Sequence, residues 1–179
     1  MSNETWEMTT LDWTRKGDHD EIVSPADLAE LIFAKNKQQA RDALLIVAGA
    51  VGQNGVIYPC ALTIVKTVLA ALPNCSLVAK SDCLHLIAQI TASESAPDSP
   101  DIAKECLIEI RQATWYFIYG LQFDDVELAC LYVDILGCLG EKFEDLRATA
   151  VKYIKLALTR NLPHYDIEMI ENTIAGLSN

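Results

Sequence analysis

Histidine is scarce in this chain: His19, His85 and His164 are the whole supply, and they lie far apart. None belongs to an HExxH helix or to a Cys/His cluster with metal-ligand spacing. The six cysteines (Cys60, Cys75, Cys83, Cys106, Cys130 and Cys138) include no CxxC pair. GxGxxG, Walker-type and GxSxG stretches are all missing, which removes the usual signatures of dinucleotide, P-loop nucleotide and α/β-hydrolase sites. Cys83 and His85 form the one close thiol–imidazole pair. Two residues apart on a helix, their side chains diverge by about 200°, so they make a poor nucleophile–base couple. The expectation is a protein that is not an enzyme and holds no cofactor and no metal.

Positive charge is the second shortage. Fourteen Lys and Arg face 25 Asp and Glu, a net charge of −11. Sequence-independent nucleic-acid binding needs a basic footprint, so no direct nucleic-acid partner is expected. A basic protein partner is favoured, because opposite potentials steer encounter. The opening MSNETWEMTTLDW has no basic or apolar leader pattern, so no signal peptide is expected. The longest apolar run, 56–72, carries Lys66 and several Thr and Pro interruptions, so it reads as a buried helix and not as a membrane span. The cysteines then read as buried thiols of a cytoplasmic protein.

What the chain does have is helix punctuation. Residues 1–23, with Trp6 and Trp13, read as an arm or a short helix ahead of a single domain over 24–179. Ser24-Pro25 supplies an N-cap and an N1 proline for a first helix to about Asn36. A second helix follows over 38–52, closed by the turn signal Asn54-Gly55. A third is expected from Ile57 to Leu72. A fourth is expected over 77–92, capped by Ser76 or, if shorter, by Ser81. Ser99-Pro100 repeats the opening cap and starts a fifth helix to Tyr119. The stretch from Phe123 to Gly140 forms the sixth, 141–160 the seventh, and Asp166 caps an eighth through Ala175. No run alternates with period two, so no sheet is assigned and the chain reads as all-α.

About eight helices in antiparallel pairs invite a search for repeats. Pair starts at Pro25, Ile57, Pro100 and Glu141 are 32, 43 and 41 residues apart. Leu44, Val47 and Ala48 echo Leu84, Ile87 and Ala88, and the 47–52 stretch echoes 135–140, with small residues suited to close helix approach. This period resembles HEAT or armadillo repeats, which implies a short solenoid.

The remaining signal is surface charge. Residues 94–145 hold twelve carboxylates against Lys104, Arg111 and Lys142, whereas 35–93 are net basic. Asp124, Asp125, Glu144 and Asp145 stand at helix starts, where capping and the macrodipole account for them. Glu127, Asp134 and Glu141 fall seven apart on one helical stripe, and mid-helix Asp134 gains nothing from the dipole. Asp42 with Gln38 and Gln53, Asp82 with His85 and Gln89, and Glu168 with Asn172 hold the matching outward positions on the other second helices. In a HEAT-like array these positions would form a ladder along one groove. Trp115 and Tyr119, with Ile108, project from the fifth helix away from its core face. They form a second candidate site of aromatic anchors, although a central solenoid helix is expected to bury them.

A small, acidic, helical chain of this pattern resembles immunity proteins of contact-dependent-inhibition and polymorphic-toxin systems. The resemblance rests on size, charge and repeat pattern. It implies binding to a cognate toxin domain, a basic nuclease such as an EndoU-type or other ribonuclease, whose active site the acidic surface would cover. The alternative is a HEAT-like adaptor that holds a basic protein or peptide without inhibiting it.

Overall fold

A computed structural model describes residues 5–178. It divides into two compact units, Met1–Ile110 and Arg111–Asn179. Helices dominate both, and the chain is all-α as its punctuation implies.

The first unit contains α1 (Trp6–Thr10), α2 (Pro25–Ile32), α3 (Lys37–Val51), α4 (Cys60–Ala71), α5 (Leu77–Ala92) and most of α6 (Ile102–Gln112). α2 starts in a full capping box: the Asp27 amide donates to Ser24 Oγ (3.2 Å), and the Ser24 amide donates back to Asp27 Oδ2 (2.8 Å). Ser76, not Ser81, caps α5 by accepting from the Ala79 amide. α4 is the centre of the unit, buried on nearly every side from Cys60 to Ala71. That is why its sequence is apolar all round. Its two buried threonines are satisfied locally, Thr67 Oγ1 donating to the Thr63 carbonyl and Thr63 Oγ1 donating to the Asp12 carbonyl, each at 2.9 Å.

That second bond ties down the N-terminal arm. The Cys60 amide also donates to the Lys16 carbonyl, and Gly17 lies so close to the Ala50 carbonyl that no Cβ fits. Met8 is buried and Trp13 partly so, while Trp6 stays in solvent. The arm is therefore a short helix and an extended strap laid across α4.

Three expectations need correction. A small sheet exists where none was assigned: β1 (Gly52–Gln53) pairs antiparallel with β2 (Val56–Ile57), and β2 pairs parallel with β3 (Glu94–Ser95). Asn54 and Gly55 both have positive φ, 53° and 78°, the geometry of a two-residue hairpin turn. Two-residue strands are too short to show alternation, and Ile57 is spent on pairing, so α4 starts three residues late. The fifth helix is two helices, α6 and α7 (Thr114–Phe123), and α7 takes in Gly120 and Phe123, which were expected to end the fifth helix and open the sixth. Ala113 sits at φ −88°, ψ 9°, and Thr114 Oγ1 donates to the Arg111 carbonyl at 2.5 Å, so a side chain competes with the backbone ladder. The last helix, α10 (His164–Ser178), begins before Asp166, which lies in its first turn and does not cap it.

The second unit also contains α8 (Ala129–Lys142), entered through a 3-10 turn at Val126–Leu128, and α9 (Glu144–Ala157). α8 packs against α7, α9 and α10 and is the hub of this unit. A Cβ at Gly137 would stand 2.8 Å from the Thr173 methyl, and one at Gly140 3.1 Å from both Ala150 and Leu177. The expected close approach of small residues is thus realised here. It is not realised at Gly49, where a Cβ would meet nothing.

Candidate partner-binding faces

Within the second unit, α8 and α10 run side by side in the same direction, since Cys130 meets Asp166, Gly137 meets Thr173 and Gly140 meets Leu177. The outer stripe of α8 carries exposed Asp134 and Glu141, with exposed Glu127 in the turn before it. Cys130 and Cys138 lie on that same stripe, partly exposed and not in the core. Burial first, then a hydrogen bond to Asp166 and the charges of Asp166 and Asp134, push the Cys130 thiol up to about 12. The Cys138 thiol is also raised, chiefly by burial and then by Glu141 and Asp134. Cys130 and Cys138 thus share one surface with Asp134, Glu141 and Asp166.

Asp166 belongs to this surface although the sequence suggested only a cap. It lies on the side of α10 that meets α8. Glu168, two residues on, points about 200° away from it, toward the far side of α10, with exposed Asn172. The acidic line thus crosses the α8–α10 seam through Asp166. α10 carries no Lys or Arg, and Lys142 is the one cation of α8.

Of the helix-start carboxylates, Asp125 accepts from the Glu127 amide, while Glu144 and Asp145 fill the first turn of α9. Asp145 also accepts from Arg111 at 2.5 Å. Asp124 instead follows the end of α7 and accepts the hydroxyl of buried Tyr132. Arg160 donates to the Leu121 carbonyl (2.6 Å) and to that of Asp124, so it closes the C-terminus of α7.

The aromatic candidates stand in solvent, against the expectation that neighbouring helices bury them. Trp115, Tyr119 and Phe123 follow at intervals of four along one side of α7. Trp115 meets Tyr153 of α9 edge to face at 6.0 Å, and Tyr119 leans on Phe123 at 4.7 Å. A groove of about 210 Å³ between Ile118, Gln122, Tyr153 and Leu156 opens beside them. Phe123 extends this row because α7 runs on past Gly120, where the sequence had suggested a helix end. Tyr153 and Leu156 come from another helix and left no local signal. Ile108, on α6, is also exposed.

In the first unit, exposed Asp42 on α3 accepts from Gln38 Nε2 at 2.8 Å. On α5, Asp82 is half-buried and His85 exposed, with Gln89 one turn further. Cys83 is buried, so it and His85 face apart as expected. α3 and α5 are neighbours whose C-terminal ends meet at one open cavity of about 670 Å³, lined by Leu45, Gly49, Gln89 and Ser93 among others. Both helices therefore run the same way, and Asp42 and Asp82 fall on the stripes that lead into this cavity. The side chain of Gln53 lies outside those described.

Among the described residues no group of three or more His, Cys, Asp and Glu could hold a metal ion. Nor, among them, is any helix long and apolar enough to cross a membrane. In comparison with known proteins, the chain matches no family model, no curated protein and no solved structure.

Proposed function

We propose that this chain is a binding protein that engages a basic protein partner through an acidic helical surface. The specific reading is an immunity protein that neutralises a toxin nuclease in the cytoplasm. The observation that carries it is the carboxylate line of Asp134, Glu141 and Asp166 across the α8–α10 seam, with Glu127 ahead of it. Carboxylates at that spacing can occupy the Lys and Arg groups with which a nuclease holds phosphates. The HEAT-like arrangement belongs to the same proposal. It is supported inside each unit by second helices that run in the same direction, α3 with α5 and α8 with α10.

The test is whether a toxin gene stands directly upstream and, with its product co-expressed, a binding assay on the purified pair. Rescue of growth is expected. Reversal of Glu127, Asp134 and Glu141 to Lys should weaken binding at least about a hundredfold at low salt, and less at high salt. Failure to bind or to rescue sinks the immunity reading. Unchanged affinity in the triple variant would leave the stripe as a solvated face.

The adaptor alternative draws on a different observation, the α3–α5 cavity approached by Asp42 and Asp82. An extended basic peptide bound there, with no inhibition of a toxin, would favour it.

A further inference from the structure

We propose that the open cavity at the C-terminal ends of α3 and α5 takes a lysine side chain from an extended segment of the partner protein. This rests on the reading of a basic protein partner and names the group that partner presents to the first unit. The cavity holds about 670 Å³, a size common among ligand sites. Glycine leaves room there, since a Cβ at Gly49 or Gly55 would meet nothing within 4 Å. Leu45, Val56 and Ile90 give it an apolar wall, and Asn54 and Gln89 supply carboxamides. Among the described residues, none that lines it is acidic or basic.

The backbone sets the field in this cavity. Two helices end there, and helix carbonyls point toward the C-terminus, which carries about half a negative charge. Neither α3 nor α5 has a basic residue in its last turn to offset this. Exposed Glu94 follows directly on Ser93 of the lining. Arg41, the last Lys or Arg on α3, stands eight residues or about 12 Å before Gly49 and next to Asp42. Lys80, the last on α5, stands nine residues before Gln89, with His85 between them. Lys16 of the strap, which passes Ala50 at Gly17, is paired with Asp20 at 2.9 Å. A lysine offers a four-carbon stem to the apolar wall and an ammonium to the helix ends. Arginine's planar fork is made for carboxylates, and among the described residues none lines the cavity. A small free amine would leave most of the volume empty. A peptide main chain fills it and meets donors and acceptors on both carboxamides.

The probe is acetyl-Gly-Lys-Gly-amide, titrated into the nitrogen-15-labelled full chain at low salt and pH 8, above the usual histidine range. The NMR amide signals of Gly49, Gly52 and Gly55 should shift together, with a dissociation constant on the order of millimolar. The norleucine tripeptide, with the same stem and no charge, should bind roughly three- to tenfold more weakly, and the glutamate tripeptide should leave the three signals in place. Pentylamine should bind at least about fivefold more weakly than the lysine tripeptide, since it lacks the main chain. Gly49→Leu fills the cavity and should weaken the tripeptide at least about tenfold, with urea unfolding as the check that the fold persists. Gln89→Lys, at an exposed position, should erase the preference for lysine over norleucine. Silent glycine signals, a norleucine or glutamate tripeptide bound as well as lysine, pentylamine bound as tightly as the tripeptide, or indifference to both substitutions would each overturn the proposal. No toxin enters this measurement, so its outcome is independent of whether the α8–α10 carboxylate line binds one.

Discussion

Gly120 leaves the space that the Tyr132 ring fills: a Cβ at position 120 would overlap the phenol of this fully buried side chain. The ring cannot swing aside, because its hydroxyl donates to Asp124, whose backbone carbonyl is in turn held by Arg160. Gly120→Ala should therefore cost about 2–3 kcal/mol in urea unfolding, as overpacking does. Gly49→Ala is the contrasting case. Its Cβ meets nothing within 4 Å in the last turn of α3, so a gain of up to roughly 0.5 kcal/mol is expected. Equal effects at the two sites would refute the packing argument.

Arg160 spans two carbonyls at the end of α7, where the helix dipole is negative. Arg160→Gln should lower stability by about 2–3 kcal/mol, since bonds from a charged donor are worth more than neutral ones. Hydrogen exchange should quicken in the last turn of α7 before anywhere else. Protection that stays uniform would count against a local clamp.

Cys130 should be a slow thiol despite its partial exposure. With its thiol pushed up to about 12, only about one molecule in ten thousand is thiolate at pH 8, and the thiolate is the nucleophile. Alkylation at this site should rise about tenfold per pH unit from pH 8 toward 11. Asp166→Asn removes a hydrogen bond and a charge that both favour the neutral thiol, so it should speed the reaction at pH 8. Peptide-resolved iodoacetamide labelling reads this directly. Labelling of Cys130 at the rate of a free exposed thiol would show that the carboxylates do not surround it.

Ser24→Ala should cost about 1 kcal/mol through loss of the α2 capping box, and Ser24→Gly only a few tenths. Thermal melts of the two variants provide the comparison. The expected order reverses if propensity, and not the cap, governs this helix start.

Much of this was legible in the residues. The caps Ser24 and Ser76, the Asn54-Gly55 turn and the apolar stripes of α3, α5 and α8 follow from local rules that depend on neighbours a few positions away. The break at Ala113 was not legible. It comes from one threonine hydroxyl that takes the Arg111 carbonyl, in a sequence whose periodicity continues through it. The three short strands were hidden because two-residue pairing has no period. Cys75, Cys130 and Cys138 are only partly buried where buried thiols were expected. Cys130 and Cys138 fit an apolar pattern by residue type, but their angular position is that of Asp134 and Glu141.

The sequence by itself determined that this is an acidic helical chain, that α2 begins at the Ser24 cap, and that Asp42, Asp134 and Glu141 face outward. Charge and hydrogen-bond capping are properties of residues and short segments, so they need no tertiary information. Only the tertiary structure decided which outward positions share a surface. Asp166 joins Asp134 and Glu168 does not, because helix neighbours are chosen by packing at Gly137 and Gly140, some 36 residues away from their contacts in the chain. The same holds for the aromatic face, where α9 brings Tyr153 beside Trp115. Contacts between helices are set by shape and burial across the whole unit, and a local pattern does not contain them.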